Sequence, residues 1–162
     1  MAVVPFLVGC DSPHAITSPP AASLAEVPKP ATKWVVTSTK NDLTGEPEVF
    51  ADNAASRRVN MVIRRRGKKL ECYINTDEFF ETVQNMHTRK SPVSYRFDDG
   101  AIVRQAWDIS ADNTALFYPG NPRPFLDKIR QSRRLVVRFE PADTIPQSAT
   151  FDVSNFPVEI LR

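Results

Sequence analysis

At 162 residues the chain has the size of one domain with a continuous core, and no stretch approaches the about 20 consecutive apolar residues of a membrane-spanning helix. A net charge of +2 is too small to imply a polyanionic partner by itself. Fourteen prolines against five glycines, with 41% apolar and 25% charged residues, exclude a repetitive fibre and a chain disordered throughout.

Residues 1–8 are apolar, Gly9 and Cys10 follow, and polar sequence begins abruptly at Asp11-Ser12-Pro13-His14, the outline of the end of a signal peptide. Leu7-Val8-Gly9-Cys10 resembles the bacterial lipobox, which implies lipidation at Cys10 and removal of residues 1–9. The stretch before Cys10 is short and lacks a basic n-region, so use of the motif would require a start codon upstream. With Asp11 second in the mature chain, the resemblance implies retention at the inner membrane with the domain facing the periplasm. Residues 11–32 hold Pro13, Pro19, Pro20, Pro28 and Pro30 among Ser, Ala and Thr, the composition of an extended, disordered tether.

From residue 33 the pattern becomes period-two alternation bounded by turn residues, which marks half-buried strands. Strands are predicted over 33–38, 47–51, 59–65, 69–75, 93–97, 101–109, 115–118, 135–140 and 149–153. Arg66-Gly67-Lys68 and Asp98-Asp99-Gly100 signal two hairpin turns, each with a glycine where positive φ is expected. A helix over 124–133 starts at Pro124, buries Phe125, Ile129 and Leu126, and carries Lys128, Arg130, Arg133 and Arg134 toward its end. Residues 76–86 fit a helix capped by Thr76 or an extended segment. The expected fold is all-β: a single, mainly antiparallel β-sandwich over 33–162 with one short helix.

Few residues have the spacing that chemistry needs. The only histidines, His14 and His87, have no ligand partners at metal spacing, so neither metal nor cofactor is expected. Alternation places Cys72 with Leu70 and Ile74 on an inward face, a structural thiol and not a nucleophile. Asp98, Asp99, Asp108 and Asp112 fall in or beside turns, where aspartate is ordinary, so no catalytic residue is assigned. Trp34, Trp107, Phe117, Phe139 and Phe151 are assigned to the core.

Two features suggest a binding surface. Arg64, Arg65, Arg66 and Lys68 gather at one hairpin tip, and Tyr118 and Arg123 belong to a proline-fixed loop, Phe117 to Pro124, too long for a hairpin turn. Aromatic residues on an exposed strand face, with Tyr73, Tyr95, Tyr118 and Phe50 as candidates, would make a single-stranded nucleic-acid binder of it, whereas solvated charge makes nucleic acid an unlikely partner. The same basic residues suit anionic lipid headgroups.

The succession Trp34, Asp42-Leu43-Thr44-Gly45, Asn60 to Ile63, Gly67, Cys72-Tyr73-Ile74 and Val93 to Asp98 is similar to the VasI/TagO-like family of type VI secretion-associated envelope proteins. The similarity continues through Trp107 to Ser110, Ala115-Leu116-Phe117, Phe125-Leu126, Leu135 to Arg138 and Ala149 to Asp152, and the chain departs from it at Arg65, where cysteine is expected. The resemblance implies a periplasm-facing β-sandwich without catalytic residues. Two alternatives stand beside such an envelope binding module and its unidentified protein partner: a prophage-type lipoprotein for superinfection exclusion, and the single-stranded nucleic-acid binder.

Overall fold

Alternation along the chain becomes alternation across a sheet wherever strands find neighbours, and here every predicted strand does. The computed structural model describes residues 34–80, 89–142 and 145–162; Cys10, the tether, His14 and His87 lie outside them. The strands are β1 (Val35–Lys40), β2 (Pro47–Ala54), β3 (Val59–Arg66), β4 (Lys69–Thr76), β5 (Lys90–Phe97), β6 (Val103–Ile109), β7 (Ala115–Phe117), β8 (Arg134–Phe139) and β9 (Gln147–Asp152). A helix, α1 (Arg123–Gln131), joins β7 to β8, and a 3-10 turn covers Val158–Leu161.

All neighbours pair antiparallel in one sheet of order β1-β2-β3-β4-β7-β6-β5-β8-β9. Within it β8-β5-β6-β7 is a Greek key, with α1 in the long return connection. The sandwich is therefore one sheet folded on itself. Its inner faces supply one core: Met61, Ile63, Cys72 and Ile74 from β3 and β4, Val93, Tyr95 and Trp107 from β5 and β6, and Leu135, Val137, Phe139 and Phe151 from β8 and β9. Near the open side the Asn53 side chain, fully buried, donates from Nδ2 to the Asp152 carbonyl at 2.7 Å and clasps β2 to β9. β1 lies beyond this clasp, and all six of its residues are exposed.

Several boundaries shift for physical reasons. β5 begins at Lys90, earlier than predicted, because Pro92 falls where only β6 flanks the strand; pairing with β8 starts at Val93, so the missing N–H breaks no ladder there. Thr76 ends β4 instead of capping a helix, and residues 81–88 lie outside the described residues. Phe117 is not a core residue. Leu116 takes the inward position of the three-residue β7, while Phe117 pairs with Tyr73 on the outer face and stacks on it at 4.6 Å.

The two hairpin turns also differ from one another. Gly67 has φ +53, the left-handed conformation expected of it. In the other turn Asp98 takes the positive φ, at 46°, in place of Gly100. Gly100 is there for closeness: a Cβ would lie 3.0 Å from the Phe97 carbonyl oxygen, which accepts the Gly100 N–H at 2.8 Å.

Candidate binding surface

Beneath the folded sheet, α1 turns Phe125, Leu126 and Ile129 into the core. Phe125 is the centre of an aromatic group contributed by two strands, a loop and the helix. Its ring stacks on Tyr118 at 4.5 Å and meets Tyr95, Phe97 and Trp107 at 5.2, 5.4 and 5.9 Å. Offset and edge-on contacts of this kind add about 0.5–1.5 kcal/mol each beyond area burial. Tyr118 is held in place because its N–H donates to the Cys72 carbonyl at 2.8 Å, and the loop then turns at Gly120, φ +71, toward the helix.

Between this group and the β5–β6 turn opens a pocket of about 490 Å³. Tyr95, Phe97, Tyr118 and Phe125 give it an aromatic floor, and Val103 and Lys128 stand on its sides. Among the described residues Lys128 is the only charged one lining it. Burial and the neighbouring Tyr118 hydroxyl, with which it shares a hydrogen bond, push the Tyr95 phenol up to about 12. Tyr95 therefore stays a neutral hydrogen-bonding group. Such a site suits an apolar or aromatic group with an anionic or accepting end toward Lys128.

The predicted surface residues divide into two sets. Arg64 donates from Nε to Glu71 at 2.8 Å and lies 5.6 Å from the centre of the Tyr73 ring, and Arg66 reaches Glu48 at 3.0 Å. Both are committed to carboxylates. Arg65, Lys68 and Arg123 instead converge, with Arg162, on a concavity beside the 3-10 turn, away from Tyr118. Of the aromatic residues proposed for an exposed strand face, Phe50 and Tyr73 are half-buried there with Phe117, whereas Tyr95 faces inward. Arg64, the cation nearest that face's aromatic stack, is already paired, and Glu71 and Asp52 stand beside it.

The remaining polar residues have structural roles. Asp98 accepts the backbone N–H groups of Arg133 and Arg134 at 3.0 and 2.9 Å, fixing the passage from α1 into β8. Asp99 pairs with Arg134 at 2.7 Å, and Asp108 pairs with Lys90 at 3.1 Å. The Asp112 carboxyl is held below its ordinary value by the Ser110 hydroxyl and by Thr114, which makes it a turn residue and a poor proton donor. Cys72 is buried among apolar side chains, which pushes its thiol up to about 12. Among the described residues no three His, Cys, Asp or Glu side chains group around a metal position, and no helix is long and apolar enough to cross a membrane.

Sequence reasoning singled out Tyr118 but missed Tyr95, Phe97, Val103 and Lys128 as its companions in the pocket. A signal existed in the helix: Phe125, Lys128 and Ser132 fall three and four residues apart, the spacing of one helix face, and all three line the pocket. The strand side carried no comparable sign, because Tyr95 alternates like any core residue. No family model matches the chain, and neither curated proteins nor solved structures give a match.

Proposed function

We propose that this domain is an envelope binding module of a lipoprotein, carried on the periplasmic side of the inner membrane by a lipidated Cys10 and acting through protein–protein contacts as an accessory of a type VI secretion-like system. The aromatic pocket between α1 and the β5–β6 turn carries the binding part of this proposal. It is concave, mostly apolar and built from rings held by one another, and buried aromatic side chains of this kind dominate the energetics of recognition sites. Its occupant is an apolar side chain of an envelope protein, with a carboxylate placed near Lys128.

The lipobox-like Leu7-Val8-Gly9-Cys10, the proline-rich tether and the motif succession shared with the VasI/TagO-like family support the location and the system. Acyl chains contribute about 0.8 kcal/mol per buried methylene, so several on one cysteine hold a domain without a spanning helix. The test is in-cell crosslinking of the anchored protein with and without pocket variants. A partner crosslinked by the native chain and lost in both Tyr118→Ala and Lys128→Glu, but kept in the remote Lys40→Glu, supports the pocket. Equal crosslinking in all four overturns it. Mass spectrometry of the membrane fraction tests the anchor: a chain acylated at Cys10 and lacking residues 1–9 is expected, and an unmodified cysteine removes the envelope assignment. Salt-sensitive oligonucleotide binding at low ionic strength, lost in Tyr73→Ala, would favour the nucleic-acid reading instead.

A further inference from the structure

The β3–β4 hairpin distributes its cations unequally. Arg64 and Lys69 share Glu71, and Arg66 has Glu48. No Asp or Glu pairs with Arg65 or Lys68 among the described residues, and these two face the concavity of about 330 Å³ that Arg123 and Arg162 also line. The four come from three places in the chain, the hairpin tip, the start of α1 and the residue after the 3-10 turn, and among the described residues no Asp or Glu lines the space between them.

Two of the guanidinium groups are fixed from behind. Arg123 Nη2 donates to the Leu161 carbonyl at 2.9 Å, and Arg65 Nη1 donates to the main-chain oxygen of Arg162, the last residue. Each arginine has five N–H donors, so most remain free on a planar group already held by the backbone. Lys68 supplies an exposed ammonium at the mouth, and Leu70 and Ile160 form an apolar wall that strengthens charge interactions beside it. The main-chain oxygens of Leu161 and Arg162 meet two of these cations, and the donors left over have no Asp or Glu beside them among the described residues. A phosphate offers two or three acceptor oxygens that arginine forks can meet in pairs.

We infer that the concavity bounded by Arg65, Lys68, Arg123 and Arg162 is a binding site for a phosphate group, separate from the aromatic pocket and independent of what that pocket binds. The phosphate belongs either to a small soluble molecule or to a phospholipid headgroup.

The test uses the full chain with Cys10→Ser, so that lipidation does not itself attach the protein. Inorganic phosphate is titrated at low salt while the amide signals of Gly67, Lys68 and Leu161 are followed, with sodium acetate as the control anion. In parallel, co-sedimentation is measured with phosphatidylcholine vesicles containing phosphatidylglycerol. Saturable shifts with phosphate and not acetate assign a soluble phosphate, and vesicle binding alone assigns a headgroup; both support the site. Arg123→Gln and Lys68→Ala are each expected to weaken binding about five-fold, the effect of one basic residue near an anionic surface. Among the described residues the Lys68 side chain makes no hydrogen bond or ion pair whose loss would disturb the fold. Arg66→Gln removes the same charge from a paired position and should change binding by less than about two-fold. Absence of binding to both probes, or equal weakening in Arg66→Gln and Lys68→Ala, overturns the proposal.

Discussion

The β3–β4 and β5–β6 hairpins look alike as sequence, each two alternating strands around a glycine with charges at the tip, yet the molecule uses them in opposite ways. The β5–β6 turn faces inward in its bonding: the Asp98 carboxylate holds Arg133 and Arg134 N–H groups, its own N–H donates to the Arg134 carbonyl at 2.8 Å, and Asp99 pairs with Arg134. That turn locks the helix to β8 and forms one rim of the aromatic pocket. The β3–β4 turn makes one contact far away in sequence, from Arg65 to the main-chain oxygen of Arg162. Ion pairs run along its strands, while Arg65 and Lys68 pair with no Asp or Glu among the described residues and line a concavity. One charged turn uses its acceptors to bind distant backbone donors, and the other keeps most of its donors available.

The largest effect that would break this contrast lies at Asp98. Asp98→Ala removes the acceptor of two backbone N–H groups and places Ala at φ 46°, so a loss of about 2–4 kcal/mol is expected from denaturant unfolding. Asp98→Asn keeps an acceptor and a residue tolerant of that φ, and should recover more than half of the loss. Similar destabilisation by both would mean that the carboxylate bonds are not what matters.

At the other hairpin, Gly67→Ala should cost about 1 kcal/mol. Nothing lies within 4 Å of the added Cβ, so the left-handed φ of +53 alone sets the cost. A neutral result would show that the turn relaxes freely and presents its cations in no fixed geometry.

Glu71 gives a smaller, pH-dependent effect. Burial favours its neutral form, but the hydrogen bonds from Lys69 and Arg64 and their charges outweigh this and hold its carboxyl below the ordinary value of 4.5. A carboxyl lowered on folding stabilises above its unfolded value, and that contribution disappears as pH falls through the folded value. Because the pair is partly solvated, Glu71→Gln should cost under about 1 kcal/mol at neutral pH and nothing in strong acid, as thermal unfolding across the acid range would show. Least of all, Lys68→Ala should leave unfolding within about 0.5 kcal/mol of the native chain while altering phosphate binding.

Cys72 separates the base of the same hairpin from its tip. It pairs across from Ile63 with its thiol raised to about 12, so an aromatic disulfide reagent at pH 8 should label it only when the protein unfolds. In the Cys10→Ser chain, where Cys72 is the one thiol left, labelling of the native protein would place the opening of β3 from β4 within easy reach.

How much of this was legible depends on the distance over which a residue acts. Alternation in Leu70, Cys72 and Ile74, the two glycine turns and the Phe125, Leu126, Ile129 stripe are local signals, and they located the strands and the helix. At β7 the local signal failed, since Leu116 and Phe117 are both apolar and a three-residue strand has too few positions to set its phase. What acts across the fold was not readable. Asn53 sits among polar residues that suggested the end of β2, and only contact with Asp152, 99 positions away, explains its burial. Alternation puts Arg65 on the face of Met61 and Ile63, but no spacing rule says that this face ends against residues 160–162. The aromatic pocket was half visible through Tyr118, because rigid loops betray themselves by proline while strand residues that line a cavity look like core.

The placement of β1 has a mechanical consequence. Trp34 packs edge-on against Phe156 at 5.4 Å, and immediately after it come six exposed residues that, among the described strands, pair with β2 alone. A pull on the chain ahead of Trp34 meets that ring contact first. Once it gives way, the force reaches Val35, which is paired with Asp52 at the terminal end of an antiparallel ladder, so the bonds load one after another and not together. β1 then unzips toward Lys40 at low force, while the Asn53 clasp, on the strand that stays behind, keeps β2 against β9. The domain thus has a slack length of about 20 Å (six residues at about 3.3 Å each) that it can pay out under tension before its core is touched.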